Sequence, residues 1–385
     1  MDELANPYRP GAGTTPPALI GRDELIRQFS LTLGRAHAGR PGKSVMPVGL
    51  RGVGKTVLLN RFSEMAERDG FATAFIEAPE VGNFPTLLAV PLRKILLGFD
   101  RGHVSRAVTR ALRVLKSFTL QLPDGTTIHI DPEPLIGEAD SGNLGSDLTD
   151  LFVAVGEAAR DRNRGVLVAV DEVQYLLERE LSALIVAIHR TTQLNLPLVL
   201  VGAGLPQLPG LAGEARSYSE RLFEFPEIGS LSPEDARTAL EVPARDLGVA
   251  FADGALGGLV DESQGYPYFL QEWGFHVWNH AIASPIAADD VQAVRSLVLA
   301  ALDRDFRVRL DRLTPKEREY LRAMADLGPG PHRSGDIATQ LGVRVESVAP
   351  RRSALIKKGM IYSPAHGDTA FTVPLFDEFL RRVMP

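Results

Sequence analysis

The sequence predicts an α/β fold in which a parallel sheet carries helices on both faces, followed by a small α-helical domain and a winged helix-turn-helix domain. Three observations predict it. Short β-prone runs alternate with helical patterns from about residue 43 to 204, the rhythm that a parallel sheet with crossover helices requires. Strand signals then stop after Leu231-Ser232-Pro233-Glu234, and helical periodicity continues to about residue 310. The tail from Thr314 reads as three helices, two short strands and a last helix, the order of a winged helix.

Size and composition set the outer bounds. A chain of 385 residues exceeds what one hydrophobic core holds, so several domains are expected. They divide as an extended arm over 1–17, an α/β domain over 18–229, a helical lid over 230–310 and a winged helix domain over 311–385. Hydrophobic residues at 44% and charged residues at 23% are ordinary for a globular protein. With no cysteine, disulfides and thiolate zinc sites are excluded, and the eight histidines show no paired ligand spacing, so any metal is expected to be a hard ion held by oxygen. No apolar run is long enough for a membrane helix and the start lacks a secretory pattern, so a cytoplasmic protein with no membrane partner is expected. The net charge of -6 argues against a protein that coats nucleic acid over its whole surface.

Taken in order, Asn6-Pro7-Tyr8-Arg9-Pro10-Gly11 reads as an arm that lies against the next domain. Strands are expected at Ser44–Val48, Ala72–Ile76, Val166–Val170 and Leu198–Val201. Phe118, Leu120 and Leu122 alternate with polar residues before Asp124-Gly125, and Ile128 and Ile130 resume the alternation, which predicts a β-hairpin insertion over 118–130. The helical domain opens at Ser232-Pro233, a cap followed by a proline in the first turn. Thr314-Pro315-Lys316-Glu317 is a capping box that opens the tail.

Two motifs carry chemistry. Gly49-Leu50-Arg51-Gly52-Val53-Gly54-Lys55-Thr56 follows a strand and precedes an amphipathic helix, as a phosphate-binding loop does. Its glycines let the backbone approach an anion while N–H groups and the helix N-terminus supply positive potential. The nucleotide-binding residues expected here are Gly49, Arg51, Gly52, Val53, Gly54, Lys55, Thr56 and Val57. Lys55 reaches the outer phosphates, and the Thr56 hydroxyl ligates magnesium. Pro47, which cannot donate within a ladder, belongs at the strand's end. The second motif is Gly165–Val170 running into Asp171-Glu172. A buried parallel strand delivers its last residues to the ligand crevice, so Asp171 is expected to hold the metal and Glu172 to activate water.

With these residues the chain resembles the AAA+ ATPases, and is similar to bacterial and archaeal members of the origin-recognition and STAND types that end in a winged helix. The resemblance implies a P-loop NTPase fold, ATP or ADP with Mg2+, slow hydrolysis of ATP, and a nucleotide-controlled switch. Leu19-Ile20-Gly21-Arg22 looks like the family's adenine-side motif, so Gly21 and Arg22 are expected near the base. Gly265-Tyr266-Pro267 looks like the G-x-P element, with Pro267 near the adenine. Arg221 resembles the arginine finger and implies self-association. Two departures favour a slow switch: Gly202-Ala203-Gly204 offers no polar first sensor, and the lid lacks the arginine of relatives without G-x-P.

Residues 295–385 hold 16 Lys and Arg against 11 Asp and Glu, a local excess of +5. Arg344, Arg351, Arg352, Lys357 and Lys358 cluster on or beside the third tail helix and are expected to contact double-stranded DNA, with His366 at the wing tip; a protein-contacting module is the rival. The aromatics Tyr266, Tyr268, Phe269, Trp273, Phe275 and Trp278 are read as lid core. The competing overall reading is a DNA-binding regulator or adaptor whose nucleotide site is structural and barely turns over. A small-molecule kinase fits less well beside the acidic pair.

Overall fold

The computed structural model describes residues 1–11, 13–40, 42–80, 82–100, 105–122, 133–365 and 367–384. In chain order its regular elements are α1 (Asp23–His37), β1 (Ser44–Val45), α2 (Lys55–Arg68), β2 (Phe71–Glu77), α3 (Phe84–Phe99), α4 (Arg106–Leu120), α5 (Leu144–Asp161), β3 (Gly165–Asp171), α6 (Glu178–Gln193), β4 (Leu198–Gly202), α7 (Leu208–Ala215), α8 (Ser219–Leu222) and β5 (Phe223–Glu224). There follow α9 (Pro233–Arg245), α10 (Asp253–Ser263), α11 (Pro267–His280), α12 (Ala288–Asp311), α13 (Pro315–Asp326), β6 (His332–Arg333), α14 (Ser334–Gln340), α15 (Val345–Lys357), β7 (Ile361–Tyr362), β8 (Asp368–Phe371) and α16 (Phe376–Val383). The chain divides into two compact units.

One unit comprises Glu24–Val48 and Leu58–Glu227. Its strands are parallel, with β2, β3 and β4 adjacent and β1 paired to β5. Val48 bridges to Gly204 after β4 and to Glu227 after β5, so the segment carrying β1 runs between β4 and β5. Every residue of β3 is buried, as a strand covered on both faces must be. Pro47 stands past the end of β1, and its carbonyl accepts from Gly204 N at 3.1 Å.

The expected hairpin over 118–130 is corrected in its first part. Phe118 and Leu120 close α4, a helix whose buried Val108, Ala111, Leu112, Leu115 and Phe118 recur every three to four residues. Phe118 is buried and Leu120 exposed, because the last turn of an amphipathic helix also puts residues two apart on different faces. Asp124, Gly125, Ile128 and Ile130 lie outside the described residues.

The other unit comprises Met1–Asp23, Gly49–Val57 and Ile228–Pro385. Ser232 caps α9 by accepting from Asp235 N at 3.1 Å. Thr314 and Glu317 cap α13 reciprocally, as the capping-box sequence requires. The tail adds one element to the expected order, the short strand β6 between α13 and α14: α15 starts at Val345, and the antiparallel sheet has three strands ordered β6-β8-β7 rather than the expected two.

The N-terminal arm lies on α9 and α11 of its own unit, whereas the sequence reading put it against the next domain. Tyr8 donates from its hydroxyl to Leu240 O at 2.5 Å, and its ring fills the space over Gly274, where a Cβ would meet it at 2.6 Å. Asn6 Nδ2 donates to Phe275 O at 3.0 Å and Asn279 Oδ1 at 2.6 Å. Trp278 Nε1 donates to Asp2 O at 2.9 Å.

Candidate phosphate-binding site

The glycine turn between β1 and α2 has the conformation its sequence demands. Gly52 and Gly54 take φ of +87° and +92°, which a side chain resists. Gly49 is required for another reason, since a Cβ there would run into the carbonyl oxygen of Ile228. Val53 and Val57 are buried. Lys55 is buried too, and its ammonium donates to Gly49 O at 3.0 Å and Leu50 O at 2.7 Å, so it curls back over the turn. Thr56 follows in the first turn of α2, where its hydroxyl has the hard-donor chemistry a magnesium ion takes.

Gly21, Arg22 and Pro267 belong to the same unit as the turn. Gly21 has φ +71°, and a Cβ would sit 2.9 Å from Asp235 Oδ2. Arg22 reaches the carbonyls of Gly229 at 2.7 Å, Gly21 at 3.1 Å and Val53 at 3.4 Å. Burial works against its charged form, and Asp235 offsets this in part. Pro267 is the first residue of α11. Gly265 before it takes φ +64° and exchanges a 2.8 Å bond with Leu231, Leu231 N donating.

The sequence reading missed what Tyr266 and Tyr268 do. Tyr266 is core, as expected, its ring tilted by 42° against Phe269 with centroids 4.9 Å apart, yet its hydroxyl also donates to Arg51 O in the glycine turn. Tyr268 N donates to Gly52 O at 3.1 Å, and its hydroxyl donates to the carboxylates of Asp305 and, at 3.0 Å, Glu272. Burial raises both phenols above their ordinary range and pushes the Glu272 carboxyl up. The tail also grips the turn: Arg51 N donates to Thr372 O at 3.1 Å, and Arg51 Nε donates to Gly359 O at 3.3 Å. A tyrosine whose ring is buried needs a partner for its hydroxyl, which was the available signal.

The acidic pair lies in the sheet-bearing unit. Asp171 ends β3, is buried, and accepts from Glu172 N at 2.8 Å; its carbonyl accepts from Ala78 N at 2.9 Å. Glu172 has φ +53° and ψ +39°, a left-handed conformation that costs a non-glycine residue roughly 1–2 kcal/mol and is concentrated at functional positions. Gln174 donates to the Glu172 carboxylate, and its Oε1 accepts from Leu205 N at 3.0 Å. Gln174 thus supplies polarity beside the Gly202-Ala203-Gly204 run, a residue the sequence reading passed over. Arg221 is exposed on the short α8.

The five basic tail residues fall into two groups. Arg344 and Lys357 are exposed at the two ends of α15. Arg352 is tied into the sheet, donating to Thr369 Oγ1 at 2.8 Å, Ser363 Oγ at 2.7 Å and Asp368 O at 2.8 Å. Lys358 pairs with Glu317 at 2.7 Å, and Arg351 stands 4.0 Å from Glu319. His366 lies outside the described residues. Among the described residues no group of three His, Cys, Asp or Glu could hold a metal ion, and no helix is long and apolar enough to cross a membrane.

Residues 18–201 match the family model described as an AAA ATPase domain, and residues 304–380 match one described only as a domain of unknown function. No curated protein matches. Among solved structures, the Walker-type ATPase PABY2304 of Pyrococcus abyssi is similar at 17% identity, over 97% of this chain and 98% of that one, with a TM-score of 0.61. The Thermotoga maritima RuvB Holliday junction branch migration motor matches at 16% identity over 97% and 100% of the chains, with a TM-score of 0.48. Cdc6p from Pyrobaculum aerophilum matches at 13% over 100% and 99%, with a TM-score of 0.46.

Proposed function

We propose, from the match of residues 18–201 to an AAA ATPase domain and the similarity in fold to a Walker-type ATPase, that this chain is an AAA+ ATPase acting as a Mg2+- and ATP-dependent switch whose slow hydrolysis is coupled to its C-terminal elements. The observation that carries the reading is the clasp on the glycine turn. The carbonyls of Arg51 and Gly52 are taken by Tyr266 and Tyr268, and Arg51 itself bonds Gly359 and Thr372. A turn so held cannot reshape around a triphosphate without those partners responding.

Each residue's task follows from its chemistry. Backbone N–H groups of Gly52, Gly54 and Lys55 would hold the phosphates, with the Lys55 ammonium exchanging its two carbonyl partners for phosphate oxygens. A magnesium ion, when bound, screens phosphate charge, and Thr56 and Asp171 would be its protein ligands. The pairing of a lysine-bearing glycine turn with a buried strand that ends in Asp171-Glu172, both present in this sequence, supports assigning them to one nucleotide. Glu172, aimed by Gln174, would take the proton of the attacking water. Gly21, Arg22 and Pro267 are assigned to the adenine side, and Arg221 to a neighbouring copy's phosphate.

The tail is read as a winged helix that engages double-stranded DNA through the exposed Arg344 and Lys357, with Arg352 and Lys358 serving its fold. The ATPase reading is tested by nucleotide binding of Lys55→Ala and turnover of Glu172→Gln. Loss of binding in the first and of hydrolysis with retained binding in the second is expected; wild-type values in both would defeat it.

A further inference from the structure

Strand β2 ends its sheet: among the described residues it pairs with β3 alone. Ala78 N donates to Asp171 O at 2.9 Å, which fixes the alternation along the ladder. Ala72, Ala74 and Ile76 turn their backbone groups to β3, while Phe71, Thr73, Phe75 and Glu77 turn theirs away. Among the described residues no backbone bond takes the outward groups of Thr73 or Phe75. An open edge is ordinarily blunted by a lysine, a proline or a bulge. Phe71–Glu77 contains none of these, and it exposes the ring of Phe75.

The surroundings of this edge are apolar, with charge at either end. On α3, Leu87, Val90 and Leu97 are exposed, and their spacing puts them on one side of the helix with Lys94. A cavity of about 350 Å³ at the start of β2 draws its lining from Phe71, Thr73, Lys94, Arg164 and Glu67. The Glu67 carboxylate is engaged by the Thr73 hydroxyl at 2.5 Å. Lys94 is exposed and, among the described residues, has neither ion pair nor hydrogen bond; Glu77, at the other end of β2, is in the same condition.

We propose that β2 is a self-association edge, which pairs antiparallel with β2 of a second copy of this chain about a two-fold axis at Ala74. In that register Thr73 of each copy faces Phe75 of the other, so outward backbone groups meet outward backbone groups. The exposed ring of Phe75 is covered by Thr73 across the new pair, since directly opposed side chains share a face. Glu77 comes opposite Phe71, at the end where Lys94 and Arg164 line the cavity, and the two-fold makes this contact twice. A parallel arrangement would instead set Glu77 beside Glu77. This surface is separate from the short α8 that carries Arg221.

Sedimentation equilibrium of the full chain without nucleotide tests the proposal. The wild type is expected to dimerise, and Phe75→Lys to raise the dissociation constant at least about tenfold. Glu77→Lys and Lys94→Glu should each weaken pairing by setting like charges together. The double variant Glu77→Lys/Lys94→Glu restores opposite charges and should bind more tightly than either single variant. A chain that stays monomeric up to about 100 µM, which leaves the edge to another protein, overturns the proposal, as does a dimer indifferent to Phe75→Lys. A double variant no better than the single ones overturns the antiparallel register and the proposal with it. Arg221→Ala should leave the pairing unchanged; loss of the dimer there assigns association to α8 and overturns it too. Should Phe75→Lys not fold, Lys94→Glu, at an exposed side chain, takes its place.

Discussion

Substituting Gly265 by alanine strikes the point where the chain turns into α11 and presents Tyr266 and Tyr268 to the glycine turn. Gly265 has φ +64°, and an added Cβ would stand 2.5 Å from Leu231 O. The left-handed conformation alone costs alanine roughly 1–2 kcal/mol. Relief of the contact must move backbone, since Leu231 N donates to Gly265 O at 2.8 Å, and losing that bond costs about 1 kcal/mol more. The expected destabilisation is therefore about 2–3 kcal/mol. Both tryptophans, Trp273 and Trp278, lie on α11, so urea unfolding followed by their fluorescence reports on this region. Gly257→Ala in α10 is the control: its Cβ would meet only Arg237 Nη2, at 3.6 Å, and a gain of about 0.5–1 kcal/mol is expected from helix propensity. The reasoning fails if Gly265→Ala matches wild type, or if Gly257→Ala loses as much.

Tyr8→Ala should cost about 3–5 kcal/mol, as removal of a fully buried aromatic does, and should increase protease cleavage within the first ten residues. Arg352→Ala removes three hydrogen bonds and should destabilise the tail by about 2–3 kcal/mol, visible in thermal melts. Arg344→Ala should leave the melt within about 0.5 kcal/mol of wild type while weakening duplex DNA binding. Glu317 sets a pH dependence. Burial by itself would raise its carboxyl, but Lys358 and the bonds from Thr314 hold it below the ordinary carboxylate value. A depressed acid contributes stability above its unfolded pKa and loses it as pH falls through the lower folded value. The tail should thus weaken on acidification below about pH 4.5, and Glu317→Gln should flatten that part of the curve measured by pH-dependent melts.

What could be read from residues alone was whatever local pattern controls. The glycine turn, β3 with Asp171 at its tip, and the capped starts of α9 and α13 are set by short-range spacing and steric rules, and each stands where the pattern put it. The alternation at Phe118 and Leu120 misled because two or three residues at a helix end cannot distinguish a period of 2 from one of 3.6. Arg352 was assigned outward because charge is legible and hydrogen-bond commitment is not: its partners, Ser363 just past β7 and Asp368 and Thr369 of β8, lie 11 to 17 residues on. Tyr268 and Gln174 were missed for the same reason. Their importance lies in contacts with residues distant in sequence, as Tyr268 with Gly52, and no periodicity encodes such meetings.

Helix α11 engages the glycine turn with its first residues and seats the N-terminal arm along its later ones. A rod of 14 residues is about 21 Å long and stiff at that length, so displacing Tyr268 must also displace the bed on which Asn6 and Tyr8 rest. A dye attached near Arg9 should therefore sense ligand loading from the far end of that lever.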